Sequence, residues 1–276
     1  MSGAEDVYML GTSNEELERL GFQHQIWQGE TLDLWRKAGF GQGDSLVDLG
    51  CGPGFATFDL ARLVRRDGRV AALDSAQKFV DHLAAQVTAG GREFENVSCH
   101  RCSIEDLPFE DASFDGAFAR WLFCFLERPE KAVAEVSRVV RPGGRMVIID
   151  YFNYLAARVI PGSEAVNALF QAYDQSAKMH GGNYSIGNHL PRMLARNGFD
   201  ILNLEPICKL GGPDSAWWHW VSSFNKVYVP KLVALGIWTE TVRAEFERAW
   251  KDAEMQPGTM FFTPPMIGIV ARKREQ

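Results

Sequence analysis

Apolar positions follow two rhythms along this chain, and the switch between them marks out its elements. Between residues 13 and 37, Leu17, Leu20, Ile26, Trp27, Leu34 and Trp35 recur at broadly helical spacing, and Ser13 with Glu16 has the form of a capping box. One or two helices are therefore predicted before residue 44. From residue 45 short apolar runs take over, and 45–49, 69–74, 97–102, 114–119 and 145–150 read as strands. Helical stretches fall at 55–66, 76–87 and 129–140. The last opens on Pro129 and is stopped by Arg141-Pro142-Gly143-Gly144. Strands alternating with helices at this interval imply parallel, right-handed crossovers with helices on both faces, which predicts a doubly wound α/β sheet.

Beyond residue 150 the alternation breaks. A variable helical segment is predicted over 152–187, a helix over 190–197 ended by Gly198, and a sixth strand over 199–207. About fifty residues then precede the last strand, 261–271, and connections of that size usually carry function. The predicted organisation is an N-terminal helical cap (1–43), an α/β core (44–210), a helical lid (211–259) and a final core strand (260–276). The fold class is thus a Rossmann-like, seven-stranded sheet with N-terminal helices and a lid inserted before the last strand.

Composition narrows the function classes. The 276 residues are 46% hydrophobic and 23% charged, ordinary for a globular protein with a full core. A net charge of -6 removes the general attraction to phosphate backbones, so no nucleic-acid partner is expected. The first residues lack the basic and apolar regions of a signal peptide, and no apolar run is long enough to span a bilayer. A cytoplasmic protein without a membrane partner is the expectation. Of the five cysteines, Cys99 and Cys102 have C-x-x-C spacing, but no second pair accompanies them, so buried or incidental thiols and no metal site are expected.

The most informative stretch is Ser45-Leu46-Val47-Asp48-Leu49-Gly50-Cys51-Gly52-Pro53-Gly54, an apolar strand ending in an acid and running into three glycines. Glycine leaves room for a ligand and accepts positive φ at little cost. The dinucleotide fingerprint places its third glycine one residue later, over a pyrophosphate. The G-x-G-x-G spacing here favours a nucleotide-like ligand without one.

Four features in order, the glycine turn, Asp74, Ile104-Glu105-Asp106-Leu107-Pro108-Phe109 and Arg141-Pro142-Gly143-Gly144, resemble the class I methyltransferases that use S-adenosylmethionine. The resemblance is strong over about residues 44–150, and small-molecule enzymes related to the quinone-biosynthesis C-methyltransferases are most similar. It implies a methyl donor, S-adenosylmethionine, that leaves as S-adenosylhomocysteine. It also implies a small organic acceptor methylated on oxygen, nitrogen or carbon by in-line displacement, with positioning as the main source of rate.

The resemblance distributes roles residue by residue. Asp48, Gly50, Cys51 and Gly52 lie along the cofactor. Asp74 accepts from the ribose hydroxyls, or else only caps the next helix, and Ser75 follows it. Ser103 stands where relatives often have an acid facing the adenine amino group, and Ile104 packs on the adenine ring. Arg120 lies beside the methionine carboxylate or near the transferable methyl, or else is a solvated arginine. Tyr8, Gln23 and Trp27 resemble lid residues that close over the cofactor, with Tyr8 suited to a cation–π contact with the sulfonium. Trp27 also serves as a substrate-side candidate, or as plain helix core.

Acceptor contacts are assigned to Trp121, Asn153 and Trp218, with Phe123, Tyr151, Phe152, Trp217, Trp220 and Phe224 nearby. These suit an aromatic or otherwise flat acceptor, or alternatively lid packing or a dimer interface, and the chain is expected to be a monomer or homodimer. His24, His180, His189 and His219 are candidate general bases, with His180 preferred because it sits in a glycine-rich turn. Two alternatives stay open: a nicotinamide-dependent oxidoreductase on a similar sheet, and a non-catalytic S-adenosylmethionine-binding protein. A nucleic-acid or protein methyltransferase is disfavoured, since Ala119-Arg120-Trp121-Leu122 stands where an Asn-Pro-Pro-aromatic motif would lie.

Overall fold

The computed structural model describes residues 14–275. Helix α1 (Asn14–Ala38) leads into β1 (Ser45–Leu49), α2 (Phe55–Val64), β2 (Arg69–Asp74), α3 (Gln77–Gly90), β3 (Val97–Arg101), β4 (Phe114–Arg120), α4 (Pro129–Val139) and β5 (Val140–Tyr151). Then follow β6 (Arg158–Ile160), α5 (Glu164–Met179), α6 (Leu190–Arg196), β7 (Phe199–Ile207), β8 (Leu210–Gly211), α7 (Ala216–Ala234), α8 (Glu240–Met255), β9 (Met260–Phe262) and β10 (Met266–Lys273).

Seven strands form one sheet in the order β3-β2-β1-β4-β5-β10-β7. β1 pairs in parallel with β2 on one side and β4 on the other, and β10 runs antiparallel between β5 and β7. The strands at the centre are buried on both faces, as their near-continuous apolar runs require. Chain order reverses between β1 and β4. Right-handed crossovers then set α2 and α3 on one face and α4 on the other, and open a crevice at the carboxyl ends of β1 and β4.

Packing resolves some sequence expectations and corrects others. Of the one or two helices expected at the N-terminus, the described residues form one. Its buried face interleaves Glu16, Arg19, His24 and Thr31 with Trp27, Leu34 and Trp35, so apolar spacing alone underestimates its continuity. Ser13 lies outside the described residues, so the capping box does too; the Glu16 carboxylate pairs with Arg19 at 2.6 and 2.8 Å. The predicted last strand is split into β9 and β10, because Pro264 and Pro265 cannot donate to a ladder. β9 instead joins β6 and β8 in a second, three-stranded antiparallel sheet that the sequence reading did not foresee.

The segment expected to be a lid consists of α7 and α8, opened by Ser215 and Thr239 as side-chain N-caps. α7 packs on α1 and α5, so it is anchored to the core through its Trp218, Trp220, Tyr228 and Leu232 side chains.

Candidate active site

A cavity of about 900 Å³ opens at the carboxyl ends of β1, β2 and β4 and continues beneath α5 and α7. That is near the upper end of the range for sites that hold one drug-sized ligand. It has two lobes with different walls.

The first lobe is built by strand ends and turns. Gly52 has φ +53°, a region that L side chains adopt only at a cost, and faces open space where a side chain would project. Gly50 has φ +65°, and a Cβ there would meet Leu122 Cδ1 at 2.8 Å. Asp74 ends β2, with its carboxylate accepting from Gly52 N–H at 2.9 Å and Ala76 N–H at 2.9 Å. Burial pushes this carboxyl above its ordinary range, against those backbone hydrogen bonds. Its bond toward the helix goes to the N–H of Ala76, the residue before α3, and α3 has no side-chain cap; Asp74 also lines the cavity, where lone pairs remain for a ligand. Asp48 lies under the turn, its carboxylate accepting from Thr57 Oγ1 at 2.6 Å, and burial raises it to about 6.

Cys51, Ser75, Ser103 and Ile104 line the same lobe, and Ile104 is 6% exposed. Gln23 reaches the wall from α1, where its Oε1 accepts from Arg19 at 3.0 Å and from Trp220 Nε1 at 2.8 Å. Of the expected cofactor residues, Tyr8 lies outside the described residues. The structure brings all the others to the lining of this cavity.

Arg120, at the end of β4, is anchored rather than solvated. Its guanidinium donates to Thr31 Oγ1 at 3.0 Å and to His24 Nδ1 at 3.1 Å, and it lies 5.2 Å over the Trp121 ring. A guanidinium only donates, so His24 Nδ1 accepts and Nε2 carries the proton, facing Asp59 Oδ2 at 3.1 Å. Burial lowers Arg120 to about 10 against the pull of Asp48 and Asp59, which leaves it cationic at neutral pH. His24 is therefore a positioning residue for Arg120 and does not line the main cavity.

Trp121 marks the joint between the lobes. It has φ +50°, unusual for a bulky residue, and such a backbone costs about 1–3 kcal/mol. Its N–H to Ile149 O at 2.9 Å and Nε1–H to Met266 Sδ at 3.0 Å hold it there.

The second lobe is aromatic. Trp121, Tyr151, Trp220 and Phe224 line it as expected, and so do Tyr154, Phe170, Tyr184 and Phe261, which the sequence reading missed. Those four come from segments scattered over a hundred residues, with no local motif to signal them. His180 lines it too, at the end of α5, with Nδ1 donating to Ser176 O at 2.8 Å. A carbonyl can only accept, so Nε2 of the neutral ring is left as an acceptor.

Several acceptor candidates lie elsewhere. Trp27 is 1% exposed and packs against Trp121, Trp217 and Trp220, so it backs the wall without reaching the cavity. Trp218 stacks on Trp250 and donates to Glu254 at 2.9 Å, joining α7 to α8. Asn153 and Phe152 are exposed on the far side of the turn after β5, and Phe123 is fully buried. Trp217 is covered by Lys209, while His189 and His219 are exposed off the cavity.

Cys51 and Cys124 are buried, and burial holds both thiols well above their ordinary range. Among the described residues no group of His, Cys, Asp and Glu is arranged to hold a metal ion. None of the described helices is long and apolar enough to cross a membrane.

The sheet order, the glycine turn beneath a strand-end carboxylate and the absence of a pyrophosphate turn define a class I, S-adenosylmethionine-dependent methyltransferase fold. Residues 47–148 match the model of a family described as methyltransferase domain, and the chain carries a domain of that family. Among its relatives, an O-methyltransferase of Aspergillus sclerotiorum is 30% identical over 188 residues, covering 65% of this chain and 66% of the relative. A demethylmenaquinone methyltransferase of Desulfitobacterium hafniense is 33% identical over 162 residues, covering 56% and 62%. The chain spans about half to two thirds of the length of the curated relatives it matches. In fold it is similar to a crystal structure of a methyltransferase from Bacillus halodurans, with a TM-score of 0.61, 17% identity and coverage of 88% of this chain and 98% of the other.

Proposed function

We propose that this protein transfers a methyl group from S-adenosylmethionine to a small, flat organic acceptor on oxygen, nitrogen or carbon. The observation that carries this reading is the cavity in which a glycine turn and the Asp74 carboxylate face an aromatic lobe across Trp121. When bound, S-adenosylmethionine supplies an electrophilic methyl on a sulfonium sulfur.

The residues of the first lobe fit that group. Gly52 leaves its space clear, Asp74 offers carboxylate lone pairs for vicinal hydroxyls, and Ile104 with Phe79 gives an apolar wall for a base. Ser103 accepts or donates there with less strength than a charged group. Arg120 holds a positive charge at the joint, suited to a carboxylate, and the Thr31 and His24 anchors fix its fork.

The second lobe presents the acceptor. Orientation within about 3 Å of the methyl accounts for much of the expected acceleration. Where the acceptor atom must lose a proton, His180 Nε2 is the base, with its tautomer set by Ser176 O.

Calorimetry with S-adenosylhomocysteine and NADH separates this reading from the oxidoreductase alternative. We expect S-adenosylhomocysteine alone to bind, and NADH binding in its place would overturn the assignment. Incubation with methyl-labelled S-adenosylmethionine and a panel of phenols, amines and enols then tests turnover. Tight binding with no label transferred to any panel member would favour the non-catalytic alternative.

A further inference from the structure

Five tyrosines pack together around the second lobe, and they divide into two groups. Tyr173 and Tyr228 do not line the cavity, and both hydroxyls are satisfied inside the protein. Tyr173 donates to Asn225 Oδ1 at 2.8 Å, and Tyr228 shares a hydrogen bond with Ser176 Oγ at 2.7 Å.

Tyr151, Tyr154 and Tyr184 do line the cavity. Their rings pack on one another with centroids 4.8 to 5.3 Å apart, and Tyr154 and Tyr184 are only 6% and 4% exposed. Among the described residues, none of these three hydroxyls has a hydrogen-bond partner, and none is among the polar atoms sealed off from solvent. A nearly buried hydroxyl without a protein partner, on a cavity wall, carries a desolvation cost that a ligand atom relieves.

The chemistry of the wall selects the ligand atom. Burial pushes all three phenol groups well above their ordinary range, so each stays an O–H donor at neutral pH. Among the described residues, the acids that line the cavity, Asp48 and Asp74, belong to the first lobe, and none in the second is offered to an ammonium group. Its charged neighbour is the Arg19 guanidinium, paired with Glu16 and lying 5.3 Å over the Phe224 ring. Since Glu16 balances that charge, the hydroxyl donors are what suits an oxygen carrying negative charge. The rest is aromatic, with Trp121 and Trp220 stacked 6.3 Å apart, and this suits a flat ring.

Resting on the methyl-transfer reading, we propose that the hydroxyls of Tyr151, Tyr154 and Tyr184 form a donor cluster that seats the oxygen of a phenolic acceptor. Acceptors with an acidic ring hydroxyl are then favoured over amines of similar shape. The same donors stabilise the phenolate form, whether the oxygen or an adjacent ring carbon receives the methyl.

The test uses the full chain and two fluorescent probes of equal shape, 2-naphthol and naphthalene, titrated with and without S-adenosylhomocysteine. The wild type should favour 2-naphthol over naphthalene by about tenfold or more. Tyr154→Phe and Tyr184→Phe should each cut that preference by about threefold to tenfold, and the double variant should bring it close to unity. Tyr173→Phe, off the cavity, should leave it unchanged, as should each variant the affinity for S-adenosylhomocysteine.

Equal binding of the two probes to the wild type, or an undiminished preference in Y154F/Y184F, overturns the proposal. A preference lost equally in Y173F would also overturn it, since that reports packing. Failure of S-adenosylhomocysteine to bind overturns the methyl-transfer reading instead, and the titrations without it still judge the tyrosine cluster.

Discussion

The two lobes of the cavity are built by different means. The first is made of strand ends, a glycine turn and backbone N–H groups within a continuous run of sequence, so its geometry follows from the sheet. The second is walled by side chains from β5, the turn after it, α5, α7 and β9, and its shape depends on how those segments settle on each other. A backbone-built lobe suits one invariant ligand. A side-chain lobe can be recut without disturbing the sheet, and loops and lids are where one fold acquires different substrates.

The sharpest way to break this comparison is to loosen the second lobe alone. Trp218→Ala removes a buried indole that joins α7 to α8 and should cost about 3–5 kcal/mol in denaturant unfolding. Under conditions where the variant is folded, its affinity for S-adenosylhomocysteine should match the wild type; a tenfold loss would mean that the lobes are not separable.

Asp74→Asn acts on the other side. It keeps the side-chain volume but replaces a charged acceptor, and S-adenosylhomocysteine affinity should fall by about tenfold to a hundredfold, the worth of a charge-assisted hydrogen bond. The naphthol preference should not move. Affinity within twofold of the wild type would sink the ribose role of Asp74.

A smaller effect separates the lobes by pH. Burial raises Asp48, under the first lobe, and Asp150, buried just before Tyr151, each to about 6. Between roughly pH 4 and 6 the folded state therefore binds protons that the unfolded chain does not, so this stability is present at low pH and is lost as pH rises through about 6. From pH 7.5 to 5.5 each carboxyl should add about 1 kcal/mol to unfolding stability. Asp48→Asn and Asp150→Asn should each flatten the profile by its own share, and profiles that remain parallel to the wild type would contradict the burial argument.

The smallest expected change is Ser103→Ala, which should weaken S-adenosylhomocysteine by about twofold to fivefold, the range of one neutral hydrogen bond. A loss beyond twentyfold would give this serine the weight of a charged acceptor.

The first lobe was legible in the chain because its determinants are local. Gly50, Gly52 and Asp74 are signalled by a turn after one strand and an acid at the end of the next, and the ten described cofactor candidates all line the cavity. Arg120 lines the cavity, but its setting was not legible. Thr31 and His24 lie 89 and 96 positions earlier on a helix whose buried face mixes polar and apolar residues, so hydrophobic spacing could not show the contact. Trp27 and Trp218 were read as substrate contacts because aromatic residues in a lid invite that reading, but large rings on amphipathic helices fill the core first.

By itself the sequence determined the parallel part of the sheet and the glycine turn, since period-two and period-3.6 patterns, glycines and strand-end acids act over a few residues. Tertiary structure alone decided the acceptor lobe: that Tyr154 and Tyr184 join Tyr151, that His180 faces the cavity, and that Trp27 stands behind its wall. Those outcomes depend on which distant side chains meet when α5, α7 and β9 pack, and no local pattern encodes such a meeting.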